Sequence, residues 1–356
     1  TVSIKVGDVS KVTAVFPTET GRDGQIVTTI NTTNYNMTAS GSADELVYDY
    51  TIDEVRVFAD ELKMGNITMS FVAEMMMQGV SGKSIVAPGP LRKVTQSFAA
   101  DMMTGEVDVE DPSGEGGGKM SFDIPNISST TTANMPEGIN LMDAEALRGN
   151  GYSVDGTFAY SALDFDLDVQ NEDGSVAFAT TNQGGSTSVF SDDTAVEMAF
   201  ASQGTKMEIG TDQFPFPISL SAANQDSKLR MPIAQTETPE KFLVEYTLAD
   251  FEMNDALWGL FDPMRQLPRD PATVSFDIEG AGKLDVDLTD PDVDVPMGEL
   301  ESLTLNSLLV DVVGAQLTGT GAFTFDNSDT TTFGGVPKPT GQIDLNLLGI
   351  NGLMDT

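Results

Sequence analysis

The sequence predicts an all-β protein, mainly antiparallel, built as an elongated, curved, long-stranded sheet or as a β-groove or sandwich with a few short helices. Three observations carry that expectation. Apolar residues recur with period two over most of the chain, the pattern of strands with one buried face. Turn dipeptides are dense, at Asp23-Gly24, Asp155-Gly156, Asp173-Gly174, Gly184-Gly185 and Gly334-Gly335. Helical signals are few, so the sheet has to be covered by another sheet, by its own curvature, or by something apolar outside the chain.

In chain order, Leu46, Tyr48, Tyr50 and Ile52 share one parity and Val55 and Val57 take the other, which predicts a bulge near Asp53-Glu54. Ile67, Met69, Phe71 and Ala73 continue the alternation. Pro88-Gly89-Pro90 interrupts it before an expected helical turn from Leu91 to Met103. The Pro112 to Gly118 run reads as a loop tip, after which Met120, Phe122 and Ile124 resume. Asn140 to Arg148 predicts a short helix ending at Gly149, and a weak seam near 135–152 is the one place where the single domain, residues 1–356, would divide. Further strands are marked by Phe158 and Tyr160, by Phe165, Leu167 and Val169, by Val176 and Phe178, by Met198 and Phe200, by Met207 and Ile209, and by Phe242, Val244, Tyr246 and Leu248. A second helix is expected within Asp250 to Phe261, closed by Pro263.

The most informative pattern is C-terminal. From Val274 to Leu288 every even position is apolar or glycine, including Phe276, Ile278, Gly280, Gly282 and Leu284. This predicts one strand of about 50 Å at ~3.3 Å per residue. The same arrangement returns in Leu317, Gly319, Gly321, Phe323 and Phe325, and a third strand follows at Ile343, Leu345 and Leu347. Glycine on an apolar face removes bulk, letting the sheet bend or another surface approach. These ten residues, Phe276 to Leu284 and Leu317 to Phe325, are the expected lining of an apolar ligand groove.

Composition excludes much chemistry. Among 356 residues are 55 acidic and 18 basic side chains, a formal charge of −37, with no histidine and no cysteine. That removes Ser-His-Asp and Cys-His catalysis, imidazole zinc sites, iron-sulfur clusters and disulfides. Nucleic acid is excluded as a partner by the shortage of cations. No apolar run approaches the ~20 residues of a membrane-spanning helix. The chain begins at Thr1 with strand-like alternation, so a secretory signal is expected to have been removed or to lie outside it. Strong acidity, a Thr/Ser/Asn/Gly-rich surface and absent cysteine suit a periplasmic or otherwise exported bacterial protein, a halophilic cytoplasm being the alternative.

Local constellations yield no active site. Asp164, Asp166 and Asp168 alternate along a strand and lack the glycine of a calcium loop, so a solvated face is the expectation; Asp290, Asp292 and Asp294, where acids leave the strand, are the weak candidates for a surface calcium. Gly79-Val-Ser-Gly82-Lys83-Ser84 ends like a phosphate-binding loop but has Met77 where the first glycine belongs and no helix after it. No cofactor is implied. Eighteen methionines, clustered at Met75-Met76-Met77 and Met102-Met103, suit an irregular core or an apolar groove.

One stretch differs in character. Trp258, the sole tryptophan, falls in a short amphipathic helix with Leu257 and Phe261, and Asp262-Pro263 ends it. Leu267-Pro268-Arg269-Asp270-Pro271 then makes a stiff connection to the long strand. The expectation is a structural corner anchored by a buried tryptophan, with Arg265 and Arg269 paired to Asp262 or Asp270. With the preceding Lys241 to Asp250 segment and the closing Gly341 to Leu353 segment, this stretch resembles an alphaproteobacterial family known as domain of unknown function 2125, best over residues 200–356. The resemblance implies an exported envelope protein made as a precursor, similar in flavour to AsmA-like proteins with long curved sheets and an apolar groove. It also implies that this chain is trimmed at both ends of a longer precursor, and it brings no catalytic residues. The expected function is non-catalytic binding of lipid or another apolar ligand in the envelope. The alternatives are a structural subunit acting on an envelope protein partner and, third, a carboxylate-dependent carbohydrate-active enzyme.

Overall fold

The computed structural model describes residues 2–4, 9–17, 23–64, 67–110, 116–139, 146, 149–172, 174–288 and 298–350. Within them nineteen strands join in a single sheet, and every pairing is antiparallel. At one end β1 (Val2–Ile4), β2 (Val9–Pro17), β3 (Asp23–Thr33) and β4 (Asn36–Gly41) lie against β5 (Leu46–Met64). β4 covers the first part of β5 and β3 the second, with β1 outside β4 and β2 outside β3. β5, β6 (Ile67–Ala87), β7 (Leu91–Glu110) and β8 (Gly117–Pro136) then form a meander of long strands.

Beside β8 two short strands stand end to end, β9 (Ser153–Tyr160) and β10 (Leu163–Asn171). β11 (Gly174–Asn182) pairs with β10, β12 (Gly185–Asp192) pairs with β9, and both pair with β13 (Ala195–Thr211). A second meander completes the sheet: β14 (Ile218–Pro232), β15 (Glu240–Met253), β16 (Ala272–Leu284), β17 (Gly298–Val312), β18 (Ala315–Asp326) and β19 (Lys338–Leu348). The one helix described in full, α1 (Asp255–Phe261), connects β15 to β16. Eleven full-width strands and four end-to-end pairs give fifteen strand positions, roughly 65–70 Å across at ~4.8 Å per strand.

A crease crosses this sheet at mid-height. Asn34, Gly79, Asn126, Gly204 and Asp250 all hold positive φ, between 51° and 61°. They fall on one transverse line, because Gly79 lies between Asp53 and Asp101, Asn126 bonds Ser161, and Gly204 packs against Gln183. At this line two consecutive residues turn to the polar side and the apolar parity changes. β8 shows it clearly: 118, 120, 122 and 124 are the shielded positions before Asn126, and 127, 129, 131 and 133 after it. The parity change expected at Asp53-Glu54 is the β5 part of the same crease, where Asn34 Nδ2 donates to Asp53 Oδ2 at 2.6 Å.

The sheet is one layer. Substantial contacts between elements run only between hydrogen-bonded neighbours and between α1 and β14. Among the described residues no large side chain is fully enclosed, and the buried apolar ones are Val80, Ile127 and alanines such as Ala100 and Ala133. The chain exposes 21237 Å², whereas a compact protein of 37.8 kDa exposes about 14,000 Å².

Three local expectations change. Leu91 to Met103 is not helical: it is the first part of β7, paired on both sides, and Pro88-Gly89-Pro90 makes only the turn before it. The long strand stops at Leu284 rather than Leu288, after bulges opposite Asp277 and Ala281. The bulge expected near Asp53-Glu54 is displaced, since the β5–β6 register runs unbroken there and shifts between Ala59 and Glu61. The second helix, Asp255–Phe261, falls within the expected Asp250 to Phe261. Of the expected Asn140 to Arg148 helix only Ala146 is described, in helical conformation, and the rest of that segment, like most of the Pro112 to Gly118 loop, lies outside the described residues.

Gly79→Ala should destabilise the protein by about 1–3 kcal/mol, because an added Cβ is strained at φ 61° and meets the Asp101 carboxylate. Gly259→Ala, in α1 with open space around it, should instead stabilise by up to about 1 kcal/mol. Equilibrium denaturation of both variants checks the pair, and equal effects would remove the crease's special status.

Candidate functional site

The strand register assembles an apolar row that crosses thirteen of the fifteen strand positions below the crease, from β5 to β19. Starting at Tyr50 and moving strand by strand, the directly opposed residues are Gly82, Phe98, Ser129, Phe158, Thr187, Phe200, Ser227, Tyr246, Phe276, Leu308, Gly319 and Leu345. Up to Tyr246 large rings alternate with small residues, so each ring has room over its neighbours. Above the crease a second row runs through Val57, Met75, Gly105, Phe122, Phe165, Thr180, Met207, Leu220 and Met253. Methionines therefore serve as part of a sheet face, where their flexible thioethers fill irregular gaps.

The glycines of the apolar face are seats for rings. A side chain added to Gly82, Gly105, Gly185 or Gly280 would strike Tyr50, Phe122, Tyr160 or Phe242, in each case the residue directly opposite. Gly282 and Gly321 instead face close backbone, the carbonyls of Glu299 and Gln342 at 2.9 Å from an added Cβ, and Gly319 faces Leu345 at 2.7 Å. The ten expected groove residues do share one face, since Phe276, Ile278 and Gly280 align through β17 with Gly319, Gly321 and Phe323, and Gly282, Leu284, Leu317 and Phe325 follow on the same parity. What approaches the glycines most closely is the protein itself.

This face stays accessible. Phe158, Val189, Met198 and Phe200 form one exposed patch on β9, β12 and β13, and Ile343, Leu345 and Leu347 are 48 %, 57 % and 49 % exposed on β19. Burial and neighbouring Tyr35 raise the Tyr50 phenol above its ordinary value. The opposite face is acidic and polar: Glu106, Ser121, Asp166, Ala179 and Glu208 make one transverse row, and around its small residues lies a depression of about 460 Å³. Asp164, Asp166 and Asp168 are exposed along this face, as expected of a strand. Cross-strand ion pairs on the polar side include Arg56 with Glu74 at 2.7 Å and Lys119 with Asp108 at 3.0 Å, each exposed enough to contribute little. Asp290, Asp292 and Asp294 lie outside the described residues.

The corner is built differently from expectation. Asn254 caps α1, accepting from Leu257 N at 3.1 Å and donating to the Pro217 carbonyl at 2.6 Å. Asp262 does not pair with an arginine. Its carboxylate accepts Gln266 N at 3.0 Å and Leu267 N at 2.9 Å, which satisfies the turn after the helix and, with the Arg265 N–H and the nearby Trp258 indole, holds the acid below the usual carboxylate range. The Trp258 Nε1 is shielded from water and has no partner within hydrogen-bond geometry among the described residues. Asp262 itself is only 5 % exposed although few atoms surround this thin corner.

Arg269 pairs with Asp255 rather than Asp270, donates to the Met253 carbonyl at 2.9 Å and lies 5.8 Å from the Trp258 ring centre. Pairing across fourteen residues is possible because the Pro268 connection folds back along the helix. Arg265, at φ 56°, has no ion-pair partner among the described residues. Trp258 and Leu257 are half-buried, whereas Phe261 is 69 % exposed, so Phe261 does not anchor the helix. Trp258, Arg269, Asp270, Phe251, Val312 and Val313 line a depression of about 330 Å³. Pro263 and Pro268 are exposed connectors.

The ring-over-small row was not foreseen. Its members were visible singly as strand residues, but their opposition depends on register. Comparison with protein-family models, curated proteins and solved structures finds no match.

Gly280→Ala should cost about 1–3 kcal/mol by displacing the Phe242 ring, and combining it with Phe242→Leu should recover part of that loss in a double-mutant cycle. Additive effects would show that the ring does not sit on the glycine.

Acid should loosen the corner. Because Asp262 is held below its unfolded value, its contribution is present above about pH 4 and is lost as pH falls through the lower folded value. Trp258 fluorescence should report a transition below about pH 4 that is absent in Asp262→Asn; an unchanged transition in that variant would assign it to other acids.

Proposed function

We propose that this is a non-catalytic protein of the bacterial envelope, periplasmic or otherwise exported, that holds lipid acyl chains or another apolar ligand against the apolar face of its sheet. The observation that carries this reading is an apolar face spanning thirteen strand positions with no second protein layer over it among the described residues. Rings seated on small residues make a continuous surface, and contact with a chain-like ligand would remove exposed Phe158, Met198 and Phe200 from water. The acidic opposite face suits the solvent side. The resemblance of residues 200–356 to the envelope family favours the same compartment.

A second reading, an assembly subunit, is favoured by a specific observation. β19 pairs only with β18 among the described residues, and its backbone edge and apolar side chains are exposed along nearly its whole length. Such an edge can accept a further strand, from an envelope partner or a second copy.

Native mass spectrometry and solvent extraction of gently purified protein should reveal bound lipid. Phe158→Asp with Phe200→Asp, both at exposed positions, should lower lipid occupancy several-fold while circular dichroism stays unchanged. Absence of lipid, together with no binding of a fluorescent fatty acid, would overturn the ligand reading; a concentration-dependent oligomer abolished by Leu345→Lys would favour assembly.

A further inference from the structure

Connections between strands are normally polar, yet at one end of this sheet three successive ones carry exposed apolar side chains. The β13–β14 connection has Phe214, 39 % exposed, its ring 6.2 Å from that of Phe216. The β15–β16 connection has Leu260, Phe261 and Met264, at 60 %, 69 % and 74 %. The β17–β18 hairpin has Val312 exposed and then Val313 at φ 50°, a left-handed position where a β-branched residue is strained and asparagine is usual. These connections touch one another: Asn254 bonds Pro217 and Ser219, and a side chain at Gly314 would meet Pro268 at 3.1 Å.

Charge distinguishes this end from the other. The three connections carry Asp212, Asp255, Asp262 and Asp270 against Arg265 and Arg269, a net charge of −2, with Asp255 paired to Arg269 and Asp262 held by backbone N–H groups. At the far end the connections carry Asp192, Asp193, Glu237, Asp326 and Asp329, and the exposed Phe333 and Val336 there sit among those acids. On a chain of net charge −37, an apolar rim that is less acidic than the far end and holds two arginines is the end that a zwitterionic headgroup layer repels least. It is also continuous with the apolar face, because Met253 and Leu220, next to the corner, belong to the upper row.

We propose that this rim docks on a lipid bilayer surface, with Leu260, Phe261 and Met264 entering the interface, Arg265 reaching the phosphates, and the apolar face opening at the membrane. A planar, fluid partner accommodates apolar tips spread along an edge, whereas a protein partner needs a matched polar surround. This rests on the reading of the apolar face as a lipid site, and names where lipid enters.

The test uses the whole chain with phosphatidylcholine vesicles. Wild type should float with vesicles, and brominated phosphatidylcholine should quench Trp258, the only tryptophan, which sits in the docking corner. L260D/F261D/M264D should lose flotation at least tenfold and escape quenching, with Phe261→Ser as a milder variant should the triple one unfold by circular dichroism. Phe158→Asp with Phe200→Asp should lose bound lipid yet still float, which separates a failed ligand site from a failed docking rim. Wild type that neither floats nor is quenched overturns the proposal. So does rim-variant protein that floats like wild type, or a vesicle-free dimer that the rim substitutions abolish, since the rim would then bind a second copy.

Discussion

Everything in this molecule depends on how a single sheet, with no facing layer, holds its side chains in place. A sandwich or a helix-covered sheet uses its second layer to fix rotamers and exclude water. Here the only neighbours a side chain has are those on the strands beside it. The solution is lateral: a ring on one strand lies over a small residue on the next, as Tyr50 does over Gly82 and Phe242 over Gly280. Packing along the sheet replaces packing across it, and cross-strand pairs become the unit of stability. The same arrangement leaves the outer surface of the rings in contact with solvent, which is why stability and the proposed ligand surface come from the same residues.

The crease divides that surface without interrupting it. Regular alternation through twenty residues would keep one parity on one side, but a strand of that length also has to accommodate twist. Residues in the left-handed conformation on alternate long strands absorb it, and the polar neighbours Asp53, Asp101, Ser161 and Gln183 line the same seam. Below the seam the aromatic row dominates; above it methionine, leucine and valine prevail. The corner at α1 is the one place where the chain leaves the sheet's logic, and there backbone N–H groups, rather than arginines, take up the buried acid.

Much of this was legible from the sequence. Period two announced the strands, and the parity change after Ile52 located the crease on β5, because both depend only on residues adjacent in the chain. The glycine positions of β16 and β18 were recognised as places of close approach. What approaches them was not, since Phe242 is thirty-eight residues from Gly280 and only register brings them together. Leu91 to Met103 was misread because Ala-Ala-Asp-Met-Met lacks β-branched residues, and pairing on both sides overrode that local preference. Arg269 was assigned the acid nearest in sequence; the fold-back at Pro268 gave it Asp255 instead. Rim exposure was invisible, because Phe261 reads with Leu257 and Trp258 as part of an amphipathic helix, whereas it is 69 % exposed.

Side chains that meet only the strands on either side make the sheet a quasi-one-dimensional object. Its energetics then resemble those of a repeat array, a sum of strand terms and nearest-neighbour couplings, even though the sequence shows no repeat. A hairpin added or removed within either meander would leave the remaining contacts intact, provided it preserved the alternation of ring and small residue. The length of the apolar surface is therefore a freely adjustable dimension of this architecture, set by the number of hairpins and independent of any central core.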